Sequence, residues 1–317
     1  FVAKVLIGVI QRRKRRAAFK KPKRFDANVV VVGGGSAGLV TSLIVAGAKA
    51  KVVLVEKHRM GGDCLYTGCV PSKSIIRSGR IMSYIRRAAE YGIVDAAGKV
   101  DFAAVMQRVQ GVIETIEPHD SPERFTSLGV ECVSAAARLI SPYEVEVDGK
   151  VITTESIVIA SGARPFVPPL PGLADIDYLT SDNVWSLTEL PPRLLVVGGG
   201  PIGCELAQAF SHLGSKVTQV DMAARIMPRE DEDVSAAVSA RFLEQGIDLL
   251  TGHKLLKFET VDGEHFMEAE HEGSTVRIAF DKVLLAIGRK ANTEDFGLEE
   301  IGVALTPQGT IAVTEFL

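Results

Sequence analysis

The sequence predicts an α/β fold built on two copies of one strand–turn–helix–strand unit, and three observations predict it. A Val-rich run into a glycine turn occurs twice, at Asn28–Gly38 and at Arg193–Gly203. Each is followed by a helical stretch and a second β-rich run ending in an acid, Lys51–Glu56 and Lys216–Asp221. The composition agrees, with 30 glycines in 317 residues and 46% hydrophobic residues, because tight strand-to-helix turns favour residues without a Cβ.

The first 24 residues stand apart from the rest. An apolar decamer, Phe1–Ile10, precedes a basic run from Arg12 to Arg24. Residues 1–24 carry +10 and no acid; the whole chain carries −3, so residues 25–317 carry −13. An acidic body argues against nucleic acid as a partner. The leader has two readings. One is the tail of a transmembrane helix with its positive flank, which would hold the protein at the cytoplasmic face of a membrane. The other is a plain basic arm. A secretory signal would place the charge before the apolar run, not after it. With no run of 18 apolar residues, the sequence contains no complete span.

In the first unit, Gly33 makes the tight turn, Gly35 lets the backbone approach a pyrophosphate, Gly38 allows close helix–strand packing, and Glu56 accepts from a ribose. In the second unit, Gly198, Gly200, Gly203 and Asp221 take the same places. The first glycine and the acid are 23 residues apart in both copies. A single glycine pattern is weak; two copies with the acid at one offset are specific. They predict two dinucleotides. A carboxylate repels a 2′-phosphate, so Asp221 predicts NADH over NADPH, with nearby Arg225 as the residue that would favour a phosphate.

Between the repeats lies Gly61-Gly-Asp-Cys-Leu-Tyr-Thr-Gly-Cys-Val-Pro-Ser-Lys73. Of four cysteines, Cys64 and Cys69 are close, whereas Cys132 and Cys204 stand alone and read as buried thiols. A four-thiolate zinc site needs a second close pair, and there is none, so no metal site is expected. A pair in a chain with so few cysteines points to redox chemistry, helped by the positive end of the helix that follows.

This segment resembles the GGxCxxxGCxPSK signature of class I pyridine nucleotide–disulfide oxidoreductases, which include dihydrolipoamide dehydrogenase, glutathione reductase and mercuric reductase. Ala160-Ser-Gly-Ala-Arg-Pro165 is similar to the family's crossover between domains. Ala286-Ile-Gly-Arg-Lys-Ala-Asn292 is similar to its AIGRxPN segment. These stretches add Gly162 and Gly288 to the cofactor-binding candidates. The likeness covers residues 26–317 and is strongest to mercuric reductase/dihydrolipoamide dehydrogenase-like proteins, some of which sit behind a DedA-type membrane domain.

The resemblance implies two Rossmann-like dinucleotide-binding domains of FAD/NAD(P)-binding type, with FAD on the first turn and NADH on the second. It implies a redox disulfide in which Cys69 faces the flavin and Cys64 meets the substrate, with Lys73 beside the flavin and Glu205 as its ionic partner. The expected substrate is a small molecule or small thiol: a disulfide or soft metal ion to be reduced, or a dithiol in reverse. The complete family member is a homodimer. Its C-terminal dimerisation domain, with a second FAD segment and a His–Glu proton donor, is missing from these residues, so no catalytic base is assigned. Pro201 replaces a tyrosine gate found in several members, and Tyr66-Thr67 replaces a commoner Asn-Val. Two other functions fit the repeats: an NADH:quinone or oxygen reductase using flavin alone, and a non-catalytic dinucleotide-sensing module.

The expected organisation is a leader (1–25), an FAD-binding domain (26–165), an NADH-binding domain (173–290) and a return to the first domain (291–317). Val167–Gly172 reads as a stiff linker. Helices are expected over Ser72–Arg87 and Val100–Glu117. Glu131–Val151 reads as a β-meander, and Ser156–Ala160 as a strand returning to the main sheet.

Overall fold

A computed structural model describes residues 18–314. The apolar decamer and the first part of the basic run therefore lie outside the described residues, and with them the membrane-tail reading. Among the described residues no helix is long and apolar enough to cross a membrane.

In chain order the elements are β1 (Ala27–Val32), α1 (Ser36–Gly47), β2 (Val52–Glu56), α2 (Gly62–Tyr66), α3 (Cys69–Arg86), α4 (Phe102–Ile116) and α5 (Pro122–Ser127). Then come β3 (Val130–Ser134), β4 (Ala137–Ser141), β5 (Glu144–Val147), β6 (Lys150–Ile159) and β7 (Ala163–Pro165). The rest are β8 (Arg193–Val197), α6 (Pro201–Leu213), β9 (Lys216–Val220), α7 (Glu232–Glu244), β10 (Asp248–Leu250), β11 (Lys254–Val261), β12 (Glu264–His271), β13 (Ser274–Phe280), β14 (Lys282–Leu285) and β15 (Arg289–Ala291).

The chain divides into two compact units. Among the described residues, one comprises 18–64, 116–164 and 290–314, and the other 65–115 and 165–289. Residues 65–115 fall within the span expected for the FAD-binding domain (26–165). They cluster with the second because α3 runs along α6 and the ring of Phe102 on α4 sits 5.9 Å from that of Phe210 on α6.

The first unit holds a six-stranded sheet of order β3-β2-β1-β6-β5-β4. Its neighbouring strands β1 and β2 are largely buried on both faces. Val30 and Val32 pack with Val53, Val55, Leu139 and Val145 on one side, while Val31 packs with Leu39, Leu54 and Phe125 on the other. Alternation at period two is what a strand running through such a sandwich requires. Two sequence expectations change here. β3 is not part of a meander but pairs in parallel with β2. The expected meander strand and the returning strand are one element: β6 pairs antiparallel with β5 over Lys150–Thr153, then parallel with β1 from Thr154. The buried Thr154 makes the join, its N–H donating to the Tyr143 carbonyl at 2.8 Å and its hydroxyl to the Ser156 carbonyl at 2.9 Å.

The second unit has a parallel sheet of order β10-β9-β8-β14 and an antiparallel sheet β11-β12-β13. Leu195, Val197, Val220, Val283 and Leu285 from the first share a core with Phe258, Met267 and Phe280 from the second. Both hairpins of the antiparallel sheet turn on two residues of positive φ, Asp262-Gly263 (52° and 82°) and Glu272-Gly273 (50° and 79°), the geometry that matches strand twist.

Candidate functional site

Each unit contains the same turn. After β1, Gly33 adopts φ 108°, and after β8, Gly198 adopts φ 116°. A Cβ on Gly33 would collide with the Ala160 carbonyl, and one on Gly198 with that of Ala286, so glycine is required twice over. A Cβ on Gly38 or Gly203 would strike the carbonyl of Gly33 or Gly198, which lets α1 and α6 start close against their strands.

The acids build these turns. Glu56 accepts the Gly34 N–H at 2.6 Å and the His58 N–H at 2.8 Å. Asp221 accepts the Gly199 N–H at 2.5 Å and the Ala223 N–H at 2.7 Å. One carboxylate thus fixes the glycine turn and the loop after its own strand, in both units and at corresponding residues.

The helix starts beyond the turns fit an anion. Gly35 caps α1 and Gly200 caps α6 without any side-chain hydrogen bond, and neither helix has an acid in its first turn. No atom lies within 4 Å of a Cβ built on Gly200. Such an N-terminus, with free N–H groups and the positive end of the helix dipole, suits a pyrophosphate. Pro201 stands at the first helical position, where its missing N–H costs nothing. At the first turn the redox motif closes in, since a Cβ on Gly62 would meet the Gly35 Cα at 2.6 Å.

The two turns differ in their support. Below the second, the buried Gln219 amide donates to the Gly198 carbonyl at 2.9 Å and to the Cys204 sulfur at 3.6 Å, and the Cys204 thiol donates to the Gly199 carbonyl at 3.4 Å. Below the first, the matching positions are Leu54 and Leu39. Burial pushes the Cys204 thiol up to about 11, against the opposing Gln219 hydrogen bond. The sequence reading of Cys204 as a buried thiol missed this polar pair; the substitution of Leu54 by Gln219 between repeats was the available signal. Cys132 is half-buried, its sulfur 3.8 Å from the Val130 carbonyl.

Arg225 is tied to its own loop. Its guanidinium donates to the carbonyls of Glu230 at 3.0 Å and Pro228 at 3.3 Å. Gly162 and Gly288 both take positive φ, with open space where a Cβ would be. Their carbonyls accept from Asn292 and Phe166 respectively, each at 3.0 Å.

Cys64 lies half-buried in α2, and Cys69 is the first residue of α3, exposed. α3 starts at Gly68 without a side-chain cap and with no acid in its first turn. A thiolate on Cys69 would therefore sit at the positive end of an 18-residue helix. Lys73 on α3 and Glu205 on α6 belong to helices that pack together, yet both side chains are exposed and no ion pair joins them, unlike the pairing the resemblance implied. Sequence reasoning also missed Trp185, whose indole reaches the backbone between the two cysteines. Among the described residues no group of three or more His, Cys, Asp or Glu side chains could hold a metal.

A family profile described as pyridine nucleotide-disulphide oxidoreductase matches residues 27–317. The chain is similar to a mercuric reductase of Staphylococcus aureus, 33% identical over 292 residues, covering 92% of this chain and 53% of that protein. It is similar to a dihydrolipoyl dehydrogenase of Bacillus subtilis, 33% identical over 309 residues, covering 92% and 64%. Among solved structures, the HOCl-induced flavoprotein disulfide reductase RclA from Escherichia coli aligns with a TM-score of 0.78 and 27% identity, over 90% of this chain and 62% of that one. The chain thus spans between about half and two thirds of these relatives' length.

Proposed function

The chain belongs to the pyridine nucleotide-disulphide oxidoreductase family, and from that premise we propose that it serves an NADH-dependent flavoprotein whose Cys64–Cys69 pair reduces a thiol-reactive acceptor, a disulfide or a soft metal ion. The observation that carries the reading is the recurrence of one acid-built turn at an uncapped helix start in both units. Gly35, Gly38 and Glu56 would hold FAD, and Gly200, Gly203 and Asp221 would hold NADH. The carboxylate of Asp221, and an Arg225 already committed to its own loop, favour NADH over NADPH.

When bound, the nicotinamide supplies a hydride and the flavin carries two electrons, which together restore the dithiol. The cysteines do the rest. The Cys64 thiolate attacks one sulfur of an acceptor disulfide; a mixed disulfide forms and the other sulfur leaves as a thiolate, which takes up a proton. The Cys69 thiolate then attacks the Cys64 sulfur, expels the second acceptor thiolate and leaves the Cys64–Cys69 disulfide. Two electrons have passed to the acceptor. With a soft metal ion the same two thiolates are suitable ligands.

Anaerobic titration of the purified flavoprotein with NADH tests this. A long-wavelength thiolate charge-transfer absorbance should appear and be lost in Cys69→Ser. Reduction of disulfides and of Hg(II) should be lost in Cys64→Ser. Flavin bleaching without that absorbance, with turnover surviving Cys64→Ser on quinone or oxygen, would replace this reading by a flavin-only reductase.

A further inference from the structure

The break between α2 and α3 is held by a donor that the cysteine motif does not contain. The first ladder bond of α3 runs from the Ser72 N–H to the Gly68 carbonyl at 3.0 Å. Starting the helix one residue earlier would require an N–H at position 71 for the Thr67 carbonyl. Residue 71 is proline, which has none. The Thr67 carbonyl is left over at the turn that leads into Cys69.

Trp185 meets it. The indole N–H is shared between the carbonyls of Ser181, at 2.7 Å, and Thr67, at 3.1 Å. The indole is buried, with 6% of Trp185 exposed. Its mount is rigid. The Thr180 N–H donates to the Asn183 side chain at 2.6 Å, the Asp182 N–H to the Thr180 hydroxyl at 3.2 Å, and the Gln110 amide to the Trp185 carbonyl at 3.1 Å. The Thr67 hydroxyl oxygen, by contrast, is buried with no hydrogen-bond partner, so the turn is anchored through its backbone and from outside.

We propose that Trp185 is a positioning residue for the Cys64–Cys69 pair: its indole N–H pins the Thr67 carbonyl and so fixes the start of the helix that presents the Cys69 sulfur. The inference rests on the redox reading of that pair. Cys69 opens a helix whose first-turn N–H groups stabilise a thiolate. Without the indole donor, the Thr67–Gly68 peptide is free to turn toward another partner. It takes with it the Gly68 cap, now at φ −126° and ψ −108°, and the alignment of the N–H groups beyond it. A less stabilised thiolate reacts more slowly at neutral pH and tilts the pair toward its disulfide.

The test replaces Trp185 with β-(3-benzothienyl)alanine, in which sulfur stands for the indole N–H at nearly constant shape, with Trp185→Phe as a second variant. Two readouts are followed by mass spectrometry: Cys69 alkylation by iodoacetamide against pH, and the dithiol–disulfide ratio in glutathione buffers. In the latter, Cys64 and Cys69 give two electrons to oxidised glutathione, and their two protons end on two molecules of reduced glutathione. The expected result is Cys69 alkylation slowed roughly 3–10-fold at pH 7 and a ratio moved toward disulfide by a similar factor. An indole that only packs would lower the unfolding midpoint and leave the alkylation profile within twofold of the parent; that result overturns the proposal. If the parent protein forms no Cys64–Cys69 disulfide in oxidised glutathione, the redox reading fails instead, and the alkylation profile still decides whether Trp185 positions Cys69.

Discussion

Asp221 holds the backbone N–H of Gly199 at 2.5 Å, which makes it a builder of the turn, beside the ribose contact proposed for it. Its second oxygen takes the Ala223 N–H at 2.7 Å. Removing the carboxylate leaves two backbone donors without their charged partner. Asp221→Ala should therefore cost roughly 2–4 kcal/mol in unfolding free energy, besides weakening NADH binding by at least about tenfold. Asp221→Asn keeps one acceptor oxygen and should lose less stability than Asp221→Ala. Urea unfolding and NADH titration, run on both variants, check this. A ribose-only role predicts weakened binding at unchanged stability.

Gly79 lies where α3 crosses α6. A Cβ there would sit 3.1 Å from the Ala209 carbonyl oxygen and 3.2 Å from the His212 Cβ. Two effects of Gly79→Ala oppose each other. The helix gains about 1 kcal/mol of intrinsic propensity, while the crossing must open by a few tenths of an ångström. The net change should stay within about 1 kcal/mol of zero. Gly79→Val adds branched volume with nowhere to go and a poorer helix former, and should cost more than about 2 kcal/mol. Chemical denaturation of the two variants separates the terms.

His212, in the last turn of α6, would ordinarily gain from the helix dipole as a cation. Here burial holds its ionisation below the usual imidazole value, and the positive charges of Arg86 and Arg80 on α3 and Arg241 on α7 act in the same direction; only the Gln245 hydrogen bond opposes them. Its Nε2 is buried with no partner. The neutral form is thus the folded form. The stability it contributes is complete above the ordinary value of 6.5 and is lost as pH falls through the depressed folded value. Urea midpoints measured between pH 7 and pH 5 should fall, and His212→Gln should flatten that slope. An equal slope in the variant assigns acid sensitivity to other groups.

The parts of the fold that were legible in the sequence are those where backbone geometry admits one residue type. Gly33, Gly38 and Glu56 recur as Gly198, Gly203 and Asp221 because a carbonyl stands where a Cβ would be and a carboxylate must reach the turn. The antiparallel sheet β11-β12-β13 is not legible in the sequence although Asp262-Gly263 and Glu272-Gly273 mark its hairpins, because its strands mix charged and apolar residues without a clean alternation. The boundary at residue 65 was illegible for another reason. α3 follows the first turn in sequence, but Gly79 opens its flank to α6, a contact with a partner more than a hundred residues away. Trp185 was invisible for the same cause. Its importance lies in a carbonyl that Pro71 leaves over, and only the fold shows which donor reaches it.

Cys204 offers a way to read the second turn through pH. Burial pushes its thiol up to about 11 from an ordinary 9.0, with the Gln219 hydrogen bond pulling the other way and the charges of Asp221 and Glu205 adding to the rise. A folded value above the unfolded one means that the neutral thiol is the form the fold keeps. Its contribution is complete below pH 9 and is lost as pH rises through about 11. Over that window roughly 2–3 kcal/mol should disappear, since each unit of difference is worth about 1.4 kcal/mol. Because the thiol also holds the Gly199 carbonyl at 3.4 Å, the loss should be accompanied by weaker NADH binding. Cys204→Ala should remove the alkaline slope at the expense of a lower, pH-independent stability. Thermal midpoints of parent and variant from pH 8 to pH 11 decide the matter, because a slope that persists in Cys204→Ala belongs to lysine or tyrosine titration elsewhere.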